Sequence, residues 1–180
     1  MLAFMYLIWE VFMVYDPLSE NTNGLHLNVA AFDFAGLYPS MMISRNISWE
    51  TKTHQPTQFA CNLATPRDFS PVKSRVMRYY KEDELGLLPK AVLDLKNLRN
   101  DYKKKMRQAW EEGNTTEYKK WDMNQMAVKR LMASFYGVVA YQGFGWADVE
   151  LAASITASAR EAIRSAALKV RELNATQTTQ

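Results

Sequence analysis

Asp33 is the first residue whose position suggests chemistry. It closes an apolar run, NVAAFDF, and is followed by Phe34 to Tyr38, a stretch able to turn several backbone N–H groups one way. A carboxylate there can hold a hard divalent cation while the following amides cradle phosphate oxygens. A carboxylate that caps the next short helix is the simpler account of the same residues. Further along, Arg99 and Lys103 stand four apart, and Gln125, Lys129, Ala133 and Tyr136 follow i, i+4, i+8, i+11 spacing. On helices each set occupies one face, and two such faces on antiparallel helices converge into a cationic slot suited to a polyphosphate. A solvated basic face with weak surface ion pairs is the plain alternative. Tyr38 and Tyr136 can each stack on a sugar or base, or simply finish a core. Ser40, Ser44 and Ser134 have no histidine at motif spacing, and there is no Walker-type glycine loop with its lysine.

These residues need elements to position them. Leu25 to Phe34 reads as a buried strand, preceded by the turn-forming DPLSENTNG (Asp16 to Gly24) and by an apolar start, Met1 to Tyr15, that suits one or two buried strands. Pro39 fits the first turn of a short helix through Met41, Met42 and Ile43. Asn46 to Pro71 has little periodicity and reads as irregular, and Val76 to Tyr80 pairs with the residues after Glu82 and Asp83 as a small hairpin. Pro89 to Glu112 is strongly helical, with Val92, Leu95, Leu98, Tyr102 and Met106 on an apolar stripe. Gly113 and Asn114 break it, Thr115 or Thr116 caps a second helix, and Tyr136-Gly137 ends that helix near Phe135. Two long helices joined by so few residues pack antiparallel. Val138 to Trp146 reads as a glycine-bearing turn or strand, Glu150 to Leu173 as a small-faced helix able to lie close to a sheet, and the tail ATQTTQ as frayed.

Composition narrows the class. The 180 residues are 48% hydrophobic and 23% charged, which indicates a folded domain with a real core. A single cysteine, Cys61, forms no internal disulfide, and with only His26 and His54 it leaves a structural zinc short of ligands; a reducing compartment fits. The apolar start is interrupted by Glu10, falls short of the ~20 residues of a membrane span, and lacks the basic leader and cleavage site of a signal peptide. Net charge is only +3, yet Lys96 to Arg130 holds ten basic residues against five acidic ones, a local +5.

Four stretches resemble one family. DFAGLYPSMM (Asp33 to Met42) is similar to the first palm motif of family B DNA polymerases, Asp-x-x-Ser-Leu-Tyr-Pro-Ser-Ile. KRLMASFYG (Lys129 to Gly137) resembles their fingers motif, Lys-x-x-x-Asn-Ser-x-Tyr-Gly. LLPKAVLDLKNLRNDYKKKM (Leu87 to Met106) is similar to the first fingers helix, and GFGWADVELAASITASARE (Gly143 to Glu161) to the family's aspartate followed by a Ser-Ile-Thr helix. In this order they span roughly Leu25 to Leu173; NISWETK and the short fingers suggest a viral or phage member.

The resemblance implies the following roles. Asp33 would be one of two catalytic aspartates, binding a Mg2+ pair together with Phe34. The backbone of Phe34, Ala35, Gly36, Leu37 and Tyr38 would hold triphosphate oxygens, with Tyr38 under the deoxyribose, excluding a 2′-hydroxyl. Arg99, Lys103 and Lys129 would grip the phosphates of the incoming dNTP, Lys129 taking a catalytic role, and Tyr136 and Gly137 would lie against the nascent base pair. Phosphoryl transfer needs two cations about 3.5–4 Å apart and cationic groups on the leaving pyrophosphate, and a mobile cationic hairpin supplies a closure step.

Departures accompany the match. Gly36 replaces the usual serine, Ala133 the usual asparagine, and the second carboxylate motif, Tyr-Gly-Asp-Thr-Asp, is not in the sequence. Asp148 and Glu150 are no substitutes for it, since they fall where the family has a structural aspartate. The implied fold is α+β and helix-dominated: a small palm-type sheet, a projecting antiparallel two-helix fingers hairpin, and a C-terminal helix on the sheet. Residues 1–86 would be palm with the first motif, 87–137 fingers, and 138–180 palm again, truncated before the second motif. The expected function is nucleotidyl transfer from dNTP to a primer 3′-OH during DNA replication, the chain being inactive alone. Its partners would be primer-template DNA and the remaining polymerase segments (exonuclease domain, second palm motif, thumb) in cis or on another chain. The location would be cytoplasmic, or host cytoplasm for a phage, with no membrane. A noncatalytic helical module that binds nucleic acid or protein through the basic hairpin is the alternative.

Overall fold

Three long helices dominate a computed structural model that describes residues 33–63 and 77–177. The strands expected before Asp33 lie outside the described residues. In chain order the elements are α1 (Leu37–Ser44), β1 (Lys52–Thr53), β2 (Ala60–Asn62), β3 (Met77–Tyr80), α2 (Leu87–Glu111), α3 (Thr115–Ala140) and α4 (Val149–Gln177). The α+β, helix-dominated class holds: a small sheet, an antiparallel helical hairpin and a C-terminal helix against the sheet.

The sheet departs from its expected composition. β3 is the central strand, antiparallel to β1 (Thr53 opposite Tyr79) and to β2 (Cys61 opposite Arg78). Both partners come from the region read as irregular. Strands of two and three residues are too short to display the alternation that marks a strand in sequence. Residues after Glu82 do not pair with β3 as a hairpin. Asn46 holds them instead: its Nδ2 donates to the carbonyls of Lys81 (2.8 Å) and Glu84 (2.7 Å), and its Oδ1 accepts from Gly86 N (2.8 Å).

The hairpin follows from local chemistry. Pro39 and Pro89 both lie in the first turn of their helices, where a missing N–H costs no helical hydrogen bond. α2 ends in a Schellman motif: Gly113 is left-handed (φ 69°), its N–H reaches Trp110 O at 3.1 Å, and Asn114 N reaches Ala109 O at 2.9 Å. Asn114, rather than Thr115 or Thr116, caps α3, its Oδ1 accepting from Glu117 N at 3.1 Å. α3 does not stop at Gly137. It runs to Ala140, because Val139 is fully buried beside Val92, Leu88 and Ile155, and that packing outweighs the ~1 kcal/mol penalty of a helical glycine. Val138 to Ala140 is therefore helix, and only the residues after Ala140 form the expected turn.

α4 closes the core. Leu151, Ala152 and Ile155 join Met42, Ile47, Tyr80 and Cys61 in one buried cluster. Its small polar residues meet the strands directly: Tyr80 Oη donates to Ser154 Oγ at 2.8 Å, and Cys61 Sγ lies 3.2 Å from Ser158 Oγ. Among the described residues no helix is long and apolar enough to cross a membrane.

Candidate functional site

The site lies where α1, the base of the hairpin and α4 meet. Gly36, left-handed at φ 69°, ψ 56°, is the N-cap of α1, and no side chain caps that end. Asp33 thus does not serve as the helix cap that its position also allowed. It stands exposed, followed by exposed Phe34, Ala35 and Gly36 and half-buried Leu37. Pro39 has no N–H and Ser40 N returns to Gly36 O at 2.9 Å, so the amides of Leu37 and Tyr38 are the ones left at this helix start. Glycine at position 36 has a backbone reason, since a serine there would carry the ~1–2 kcal/mol cost of a left-handed conformation.

Tyr38 meets Tyr136 across 98 residues of sequence, ring centroids 4.8 Å apart at 45°. Both tyrosines pack on the edge of the core, so each finishes the core and walls the site at once. Burial pushes the Tyr38 hydroxyl above its ordinary range, against the opposing charge of Arg160 on α4. Tyr38 therefore remains a neutral phenol and a hydrogen-bond donor at neutral pH. Arg160, which sequence reasoning did not single out, has its Nη1 buried with no hydrogen-bond partner among the described residues. Gly137, next to Tyr136, is exposed.

On the hairpin, Arg99 Nε donates to Gln125 Oε1 at 3.1 Å, and Gln125 Nε2 donates to Asp122 Oδ1 at 2.9 Å. Buried Gln125 thereby fixes the half-buried arginine. Because the helices are antiparallel, exposed Lys129 lies one turn below this contact and half-buried Lys103 one turn above it, each about 6 Å along the axis. Ala133 and Tyr136 continue the face within the unbroken α3. The geometry brings together Tyr38 with Tyr136 and Arg99 with Gln125.

Metal ligation is incomplete here. Among the described residues no three His, Cys, Asp or Glu side chains converge on a point. Asp33 alone does not make a two-metal site.

Asp148 and Glu150 do structural work. Asp148 Oδ1 accepts from Glu150 N (2.9 Å) and Leu151 N (3.1 Å), capping α4, while its Oδ2 meets Lys52 Nζ at 2.6 Å. Glu150 pairs with Arg78 and, at 3.3 Å, with Lys52, and the Arg78 hydrogen bond above all lowers its pKa to about 2. This cluster ties α4 to β1 and β3. An acidic residue just ahead of an apolar helical run was its sequence signal; nothing in the sequence pointed to Lys52 or Arg78.

Comparison with known proteins bears on the whole region. The family model described as DNA polymerase family B matches residues 18–180. The chain is 31% identical over 155 residues to the DNA polymerase of Thermococcus gorgonarius, an overlap of 86% of this chain and 18% of that protein. It is 33% identical over 144 residues to the DNA polymerase catalytic subunit of Psittacid herpesvirus 1, an overlap of 77% of this chain and 13% of the other. The solved structure of the family B DNA polymerase from the hyperthermophilic archaeon Pyrobaculum calidifontis shares the fold, with a TM-score of 0.59 at 24% identity over 78% of this chain and 18% of that one. The chain thus spans less than a fifth of the length of these relatives.

Proposed function

The chain belongs to DNA polymerase family B, and from that premise we propose that it is the nucleotide-binding palm and fingers portion of a template-directed DNA polymerase. The observation that carries this reading is the contact of Tyr38, in the Asp33 to Met42 motif, with Tyr136, in the Lys129 to Gly137 motif. Two stretches far apart in sequence, each similar to a polymerase motif, thereby form one wall.

In this reading the division of labour is electrostatic and steric. Arg99, Lys103 and Lys129 hold the triphosphate, three cations spread over about two helical turns of one seam. The backbone from Phe34 to Tyr38 lies against its oxygens, and the neutral ring of Tyr38, braced by Tyr136, lies under the sugar and excludes a 2′-hydroxyl. Gly137 leaves room for the base pair. Asp33 and the Phe34 carbonyl would hold one side of a Mg2+ pair, which supplies charge neutralisation at the transferring phosphoryl group; the other ligands, the exonuclease domain and the thumb would come from further polymerase segments, in cis or on another chain. Primer-template DNA is the second substrate.

Binding of fluorescent dATP in the presence of magnesium tests the reading. The chain binds weakly, Lys129→Ala weakens binding about tenfold or more, as expected for a charge-assisted phosphate contact, and no primer is extended. Unchanged binding in Lys129→Ala would remove the lysine from the site, and primer extension by this chain alone would refute the need for a second carboxylate.

A noncatalytic nucleic-acid-binding module is the second reading. It is favoured by the ten basic against five acidic residues along Lys96 to Arg130 on the hairpin. Salt-sensitive DNA binding indifferent to dNTP and to Asp33→Ala would establish it.

A further inference from the structure

We propose that the outer half of the α2–α3 hairpin is a contact surface for single-stranded DNA, with Trp110 as its base-stacking platform and Arg107 as its phosphate contact. The surface lies beyond the phosphate-gripping residues of the nucleotide site. The choice of DNA over other polyanions rests on the polymerase reading; the geometry does not.

Three cross-helix contacts line one seam. Arg99 meets Gln125, Tyr102 stacks on Trp121 (5.6 Å, 32°), and Trp110 leans on Tyr118 (5.3 Å, 55°). At 100° per residue Arg99, Lys103, Arg107 and Trp110 fall within about 80° of one another on α2. Tyr118, Asp122, Gln125 and Lys129 fall in a similar sector on α3. In an antiparallel pair these two sectors open on the same side. Asp122 is the one acid in them, and Gln125 already engages it.

The two aromatic pairs differ in what they leave open. Trp121 is fully used: Tyr102 stacks on it, Lys105 and Lys120 sit 4.6 and 4.7 Å from its ring, and its indole N–H goes to Glu117. It holds the hairpin together. Trp110 is 71% exposed, with Tyr118 beside it and its remaining surface open. Trp110 is 11 residues from Arg99, about 16 Å up the helix, too far to serve the same triphosphate. Arg107, one turn below Trp110, has among the described residues only a weak contact to the Lys103 carbonyl at 3.4 Å. The occupant that brings both π faces and phosphates at intervals along such a track is a single strand with unpaired bases. Duplex DNA hides its base faces, and an acidic protein lacks the regular alternation of π faces and phosphates that a single strand carries.

The test is fluorescence anisotropy of a labelled oligothymidylate of about 12 nucleotides, within the range of single-strand site sizes, titrated with the full chain. Trp110→Ala weakens binding about tenfold, the scale of one lost base stack, while Trp110→Phe keeps it within about threefold because the π face remains. Arg107→Gln reduces the slope of log K against log salt by about 0.7, the value for one contact to a single-stranded phosphate. Fluorescent dATP binding is unchanged in all three variants, so this surface and the nucleotide site fail or stand separately. Oligothymidylate binding by Trp110→Ala equal to the parent chain overturns the proposal. So does competition by polyglutamate as effective as that by the unlabelled oligonucleotide, which would make the surface a protein contact driven by charge alone.

Discussion

Replacing Glu150 with glutamine should make the fold less stable at neutral pH and far less sensitive to acid. The folded carboxyl titrates at about 2 against an ordinary 4.5, lowered first by the Arg78 hydrogen bond and then by Lys52. A carboxylate with a lowered folded pKa contributes stability that is fully present above 4.5 and lost as pH falls towards 2. At 1.36 kcal/mol per pH unit the unscreened linkage is roughly 3 kcal/mol. Glu150 is 42% exposed, so solvent screening brings the expected contribution down to about 1–2 kcal/mol. For a chain of this size that is a fall in Tm of about 2–8 °C at pH 7. Thermal unfolding followed by circular dichroism between pH 7 and pH 2 measures it. The two proteins should differ at pH 7 and converge as pH approaches 2. A Tm difference that persists undiminished at pH 2, or none at pH 7, would show that the Glu150 cluster does not act through its charge.

Other changes test single contacts. Gly86→Ala places a Cβ 2.6 Å from Ser48 Cβ and 2.8 Å from Thr51 Cγ2, and should cost about 1–3 kcal/mol in a denaturant melt through overpacking. Tyr80→Phe removes the buried bond to Ser154 Oγ and should cost about 1 kcal/mol by the same measurement, since Ser154 keeps its own bond to the Glu150 carbonyl at 2.8 Å. Asn114→Ala strips the cap of α3 and should cost about 1 kcal/mol, read as loss of thermal stability.

The hairpin was legible because its signals were strong and local: a proline at the entry, a long apolar period, and Gly113-Asn114 at the turn. The sheet was not, because β1 and β2 are pairing partners of β3 defined by contacts distant in sequence. Gly137 misled for a related reason. Its local signal to stop is real, but buried Val139 two residues later keeps the helix going. At the site, the motif residues were readable from their order along the chain, while Arg160 and the Lys52–Arg78 cluster emerge only when α4 folds back on the strands.

Gly137 also offers the sharpest separation of fold from ligand. It sits inside α3, where glycine is about 1 kcal/mol worse than alanine. Among the described residues no crowding accounts for it, since an added Cβ would meet nothing within 4 Å and φ is not left-handed. A residue that weakens its helix without relieving any contact among the described residues fits the proposed reading, in which the nascent base pair approaches the backbone there. Gly137→Ala should therefore raise stability by about 0.5–1 kcal/mol and at the same time weaken fluorescent dATP binding, the two effects having opposite signs. Thermal melts and a nucleotide titration on the same preparation read both. Higher stability with unchanged nucleotide binding would mean that no nucleotide approaches this face of α3, and the role assigned to Tyr136 and Gly137 would fall with it.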